Sequence, residues 1–182
     1  MTSTGHEHLV ATVDGEPLLL SEIEARLTEL RSGRLKAVLP PADTAEGRNM
    51  RRWVIQLCAA ERIVRRDCVS AGARPGRLAV GSALQVGGVA AAVLNRVPAA
   101  LALVPAPEPT EADTRGYYER NRDLYPQPFD EVRPSIEAEL AEHARVSAFA
   151  RWLDRAMQYR VRLEPGFEHP AEPGHPDSTH RH

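Results

Sequence analysis

A chain of 182 residues with 42% apolar content is long enough to bury one core, and its formal charge of −2 excludes a nucleic-acid binder that works by phosphate attraction. Aromatic residues make up only 5%, and the apolar content is largely Ala, Val and Leu, which favours closely packed helices over a sandwich or barrel. Lys36 is the single lysine among 23 cationic residues; the arginines are scattered among acids and read as the codon preference of a GC-rich genome.

In chain order, Leu9 to Val13, the dipeptide Asp14-Gly15, and Glu16 to Leu20 predict a β-hairpin, because Asp-Gly supplies the positive φ angles of a tight turn. Pro17 lacks an N–H and confines the second arm to an edge. Ser21 to Glu24 has the spacing of a capping box and opens a helix with Ile23, Leu27 and Leu30 on one side, closed at Gly33. A second box, Asp43 to Glu46, opens a long helix to about Ser70. Its buried stripe is Met50, Trp53, Val54, Leu57, Val64 and Cys68, and Gly72 fits its C-terminal cap.

Cys58 and Cys68 fall in that helix, separated by a rise of about 15 Å, so they cannot bridge each other and are expected as apolar filling. The weakly charged stretch Val80–Val104 is interrupted by Gly81, Gly87, Gly88 and Pro98. It reads as one or two buried helices rather than a membrane span. Pro105 to Pro109 is a stiff linker. Thr110 to Asp113 caps a helix carrying Tyr117, Tyr118 and Leu124, which Pro126 and Pro128 stop.

A last helix is predicted from about Asp130 to Met157, with Ile136, Leu140, His143, Val146, Phe149 and Leu153 along its seam and His143 as a core histidine. Glu137, Glu139 and Glu142 are spaced as a solvated face. Tyr159 to Leu163 alternates as a half-buried strand does. From Glu164 onward there are prolines and histidines and too little apolar surface for a core. The fold class expected is mainly α, one domain over residues 1–164 with a small sheet from the N-terminal hairpin and a C-terminal strand, followed by a His/Pro-rich tail over residues 165–182.

Three strings together carry a resemblance. Val10 to Ile23, Thr110 to Asn121, and Phe129 to Leu140 continuing through Trp152-Leu153 to Val161 resemble, in that order, the SurA/PrsA-type chaperone scaffold: the opening strand, turn and capped helix, the helix leading into the parvulin domain, and the helix and strand that follow it. The resemblance implies a SurA-N-like helical domain whose first and last strands share one sheet, and a polypeptide client held without ATP. Only Arg122 to Pro128 separates the second and third strings, so the parvulin isomerase domain is absent and prolyl isomerase activity is not expected. Met1 to Thr12 has neither a basic nor an apolar leader region, which predicts a cytoplasmic setting without membrane attachment.

Four of the seven histidines, His169, His175, His180 and His182, fall in the last fourteen residues, and His6 and His8 lie near the start. If the terminal strands pair about 5 Å apart, both sets share one region. Imidazole with carboxylate and no thiolate suits a divalent transition metal: Zn, Ni, Cu or Fe. A solvated tail is the competing reading. Tyr117 and Tyr118 either pack helix on helix or contact a bound peptide. Two functions follow: a chaperone-like polypeptide-binding accessory module with a His-rich, metal-capable terminus, or a small metal-dependent enzyme built on a His cluster from both termini.

Overall fold

The computed structural model describes residues 8–33, 38–72 and 88–168. Strand β1 (Leu9–Val13) turns at Asp14-Gly15 into β2 (Glu16–Leu19), which runs directly into helix α1 (Leu20–Ser32). Helix α2 (Ala45–Ser70) follows, then α3 (Val89–Arg96) and a 3₁₀ turn over Pro98–Leu103. Helix α4 (Glu111–Arg120), a short 3₁₀ turn at Arg122–Leu124, helix α5 (Phe129–Arg160) and strand β3 (Val161–Leu163) complete the order.

The chain is mainly helical, with one three-stranded antiparallel sheet of order β2-β1-β3. Asp14 and Gly15 have φ of 53° and 82°, the pair of positive values that a two-residue hairpin of this hand demands. Pro17 pairs with Thr12 on the edge strand, where its missing N–H breaks no ladder. The expected pairing of the first and last strands is present: Ala11 opposes Leu163, Thr12 opposes Arg162 and Val13 opposes Val161. The last strand is shorter than its alternation predicts. Tyr159 and Arg160 end α5, whose Met157 carbonyl accepts the Val161 N–H, and Tyr159 is exposed.

Capping differs from the sequence expectation in register. Helix α1 begins at Leu20, where the Glu22 carboxylate accepts the Leu19 N–H at 3.1 Å, so Ser21 lies inside the helix. Helix α2 is capped by Thr44 rather than Asp43: its Oγ1 accepts the Gly47 N–H at 3.0 Å and donates to the Pro41 carbonyl at 2.9 Å. A Cβ on Gly47 would lie 1.9 Å from that same Pro41 oxygen, so only glycine lets the preceding loop close on this turn. At the far end Gly72 (φ 76°) takes the left-handed cap position as expected. Helix α4 carries its predicted box intact, Thr110 and Asp113 each bonding the other's backbone N–H.

Helix α2 is the centre of the molecule. Its predicted stripe is buried apart from the half-exposed Trp53, but so are Ile55 and the consecutive run Leu57, Cys58, Ala59, Ala60 and Glu61. Such wraparound burial marks a helix enclosed on several sides, and the small Ala59 and Ala60 allow that close approach. Around it pack Val10 and Val13 of the sheet, Ile23 and Leu27 of α1, Ala92 and Val93 of α3, and Phe149 and Leu153 of α5. Burial pushes the Cys58 thiol up to about 11 and raises that of Cys68, and both cysteines are free, so they fill space as unreactive thiols.

The N-terminal half of α5 belongs to a second, smaller core with α4, made of Tyr118, Phe129 and Ile136. At 32 residues α5 is about 48 Å long and reaches from one core to the other. None of its residues between Ile136 and Ala148 is buried. His143 lies in that stretch and is exposed, which corrects the expectation of a core histidine. The seam stays in phase, but at this point on α5 no described helix or strand covers it.

Candidate functional site

Among the described residues, an apolar recess with a polar rim lies between α3, the C-terminal end of α5 and β3, with a volume of about 600 Å³. Its wall on α5 follows from helical spacing. Leu153 and Met157, four apart, form an apolar row, and Asp154 and Gln158 form the polar row beside it. Strand β3 contributes Val161 and Leu163, whose side chains share one face at the two-residue period, while Arg162 points to the other face and is exposed. Val89 and Ala90 of α3 line the opposite side, half-buried because Ala92 and Val93 take that helix's inward face. Gln56 of α2 completes the polar rim.

Strand β3 is an edge of the sheet. The Asp14 N–H donates to the Arg160 carbonyl at 2.9 Å and the Glu164 N–H donates to the Val10 carbonyl at 3.0 Å. Antiparallel pairing alternates, so residues 160, 162 and 164 turn their backbone groups toward β1, and Val161 and Leu163 turn theirs away from it. The Val161 N–H is taken by the Met157 carbonyl. The Leu163 N–H and the Val161 and Leu163 carbonyls face the open edge, and no described strand lies beyond it.

Of the histidines proposed as metal ligands, His8 is within the described residues; His6, His169, His175, His180 and His182 lie outside them. His8 is exposed, and its carbonyl accepts the Leu20 N–H at 2.8 Å. Because β1 and β3 are antiparallel, His8 stands at the same end of the sheet as Glu164. Beyond Glu164 the chain turns, with the Phe167 N–H donating to the Glu164 carbonyl and the Gly166 N–H to the Glu168 carboxylate. Among the described residues no group of three or more histidines, cysteines and carboxylates is gathered as a metal site.

Tyr117 and Tyr118 both pack within the α4–α5 hairpin, Tyr118 buried and Tyr117 half-buried. Tyr118 is 3% exposed, stacks obliquely on Phe129 and donates to the Gln127 carbonyl at 2.8 Å, so it offers no surface to a peptide. Tyr117 donates to Glu139 Oε1 at 2.9 Å, and Tyr125 donates to Glu139 Oε2 at 3.3 Å. The hydrogen bond to Glu139, with desolvation and the carboxylate's charge, pushes the Tyr117 phenol up to about 12. Glu139 therefore ties the hairpin together and is not the solvated side chain its spacing suggested.

Two groups escaped the sequence reading. Asp154 and Gln158 flank an apolar row at the same spacing, a border visible in the sequence once α5 is known to pass a recess. Arg160 bridges the Asp14 and Asp67 carboxylates, and its partners are too distant in sequence to be signalled locally.

No described helix is long and apolar enough to cross a membrane. A family described as a family of unknown function, DUF7158, matches residues 9–46, which span the hairpin, α1 and the capped first residues of α2. No curated protein and no solved structure matches the chain.

Proposed function

We propose that this chain is a chaperone-like, polypeptide-binding accessory module on a SurA/PrsA-like scaffold, cytoplasmic, acting without ATP and without bond-breaking chemistry. The observation that carries this reading is the recess of about 600 Å³ between α3, α5 and β3, apolar on its walls and polar on one rim. Such a surface suits apolar side chains of an extended or partly folded client. The scaffold reading draws support from the β1–β3 pairing and from the capped α4 that leads into α5. The test is the aggregation of a chemically unfolded protein at near-equimolar ratio. The wild-type chain slows it, and Ala90→Trp, which fills the recess from α3, slows it less while melting at an unchanged temperature. Aggregation unaffected by the wild-type chain, or slowed equally by both proteins, would contradict the reading.

A second reading is a metal-dependent enzyme, or a metal-capable terminus on the binding module, using Zn, Ni, Cu or Fe. Its support is the antiparallel pairing that brings His8 and Glu164 to one end of the sheet, from which both His-bearing arms depart.

A further inference from the structure

We propose that the open edge of β3 is where the client docks, by adding an extended strand whose apolar side chain enters the recess and whose cationic side chain, two residues away on the same face, meets Asp154. This rests on the polypeptide-binding reading and names the chemistry of the client.

Three observations combine. The backbone of Val161 and Leu163 faces away from β1, so an incoming strand finds the Leu163 N–H and two carbonyls in β register. The side chains of the same two residues line the recess, so the residue that pairs there has an apolar pocket within reach. Asp154 is the charged group among the described lining residues. It is exposed and makes no ion pair or hydrogen bond with any other described residue. Arg151 and Arg155 flank it in sequence but do not line the recess. An edge of three residues gives few hydrogen bonds, so the pocket and the charge must supply selectivity, and a carboxylate at the rim selects a Lys or Arg two residues from the apolar anchor.

The experiment measures fluorescence anisotropy of short labelled peptides of alternating Val and Ser on the full chain. One peptide carries Lys in place of its central Val, a second carries Glu there, and two further versions of the Lys peptide carry N-methyl groups on odd or on even amides. The Lys peptide binds about three- to tenfold tighter than the Glu peptide. Asp154→Lys reverses that order, and Asp154→Asn removes it. One N-methylated set loses at least tenfold in affinity and the other keeps it, because alternate amides of a docked strand face the sheet.

Equal binding of the two N-methylated sets would overturn strand addition. Equal binding of Lys and Glu peptides would overturn the role of Asp154. If no peptide binds although client aggregation is still slowed, the β3 edge is not the docking site and the client-binding reading stands. If neither is seen, both fall.

Discussion

Arg160, the last residue of α5, grips Asp14 in the hairpin turn twice over: its carbonyl accepts the Asp14 N–H at 2.9 Å, and its guanidinium donates to both Asp14 carboxylate oxygens at 2.9 and 2.7 Å. The same guanidinium donates to both oxygens of Asp67 on α2 at 2.7 and 2.9 Å. One planar fork thus joins the turn, the central helix and the helix end that feeds β3. Two-pronged pairing of this kind is the strong form of charge-assisted hydrogen bond, and the groups are only about a quarter exposed.

Arg160→Ala should cost about 2 kcal/mol by denaturant titration, since it removes the two-pronged donor of two partly buried carboxylates and leaves Asp14 with Arg66 at 3.3 Å. Arg160→Lys should recover little, because an ammonium cannot serve both forks. The arginine beside Asp14 holds its carboxyl below the ordinary value of 3.8. A depressed folded value contributes stability that is fully present above about pH 4 and is lost as pH falls toward the folded value. Asp14→Asn keeps a residue tolerant of φ 53° and removes the charge. The stability gap between wild type and Asp14→Asn should therefore be widest above pH 5 and narrow below about pH 4. A gap that stays constant down to pH 2 would show that the ion pair contributes nothing.

Two glycines should respond to alanine with opposite signs. Gly47→Ala places a methyl group 1.9 Å from the Pro41 carbonyl oxygen, a backbone atom held by the Thr44 cap, and should destabilise by about 2 kcal/mol or more. Gly116→Ala in α4 meets only the end of Arg120, a flexible side chain 3.1 Å away, and should stabilise by about 0.5–1 kcal/mol through the lower entropy of the unfolded chain. Thermal melting of the two variants checks both signs.

Tyrosine absorbance against pH should show the Tyr117 phenol titrating near 12, and Tyr117→Phe should remove that component. Glu139→Gln should move that titration down toward the ordinary value of 10, because the carboxylate is the acceptor that holds the proton. The sign follows from the raised folded value: the contribution of Tyr117 is intact below pH 10 and disappears as pH rises through about 12.

Metal titration of untagged protein compares the full chain with one ending at Pro165 and one starting at Leu9. The shared-site reading, with His169 and at least one of His175, His180 and His182 joined by His6 or His8, predicts that each truncation weakens binding. It also predicts that affinity falls as pH drops through about 6.5, where free imidazole protonates. If only the C-terminal truncation matters, the two ends do not cooperate. If neither does, the histidines hold no metal. Turnover of a proline-containing test peptide should stay at background throughout.

The elements read correctly from the sequence are those with local codes. Asp14-Gly15 announces its turn because few pairs accept two positive φ angles, and Thr110 to Asp113 announces a helix start because both partners of the box lie within four residues. The pairing of β1 with β3 agrees with what the SurA/PrsA-type resemblance implies for the first and last strands. What stayed hidden is long-range. Arg160 meets partners 93 and 146 residues away, and nothing near it in sequence distinguishes it from other arginines. Tyr159 alternates like a strand residue yet remains helical, because the helix hydrogen bond from Val161 to Met157 extends α5 past it. His143 keeps the seam's phase but is exposed where no described helix or strand packs, and Glu139 keeps a solvated spacing but meets two tyrosines from α4 and the turn after it.

The central claim is that a client occupies the recess beside β3, and methyl-resolved NMR of the full chain during titration with an unfolded client tests it most directly. The account predicts that the methyl signals of Val89, Leu153, Met157, Val161 and Leu163 move together and saturate at the concentration that slows aggregation, while those of Ile136 and Val132 in the α4–α5 core stay fixed. Shifts confined to the α4–α5 hairpin, or none at all while aggregation is still slowed, would contradict it.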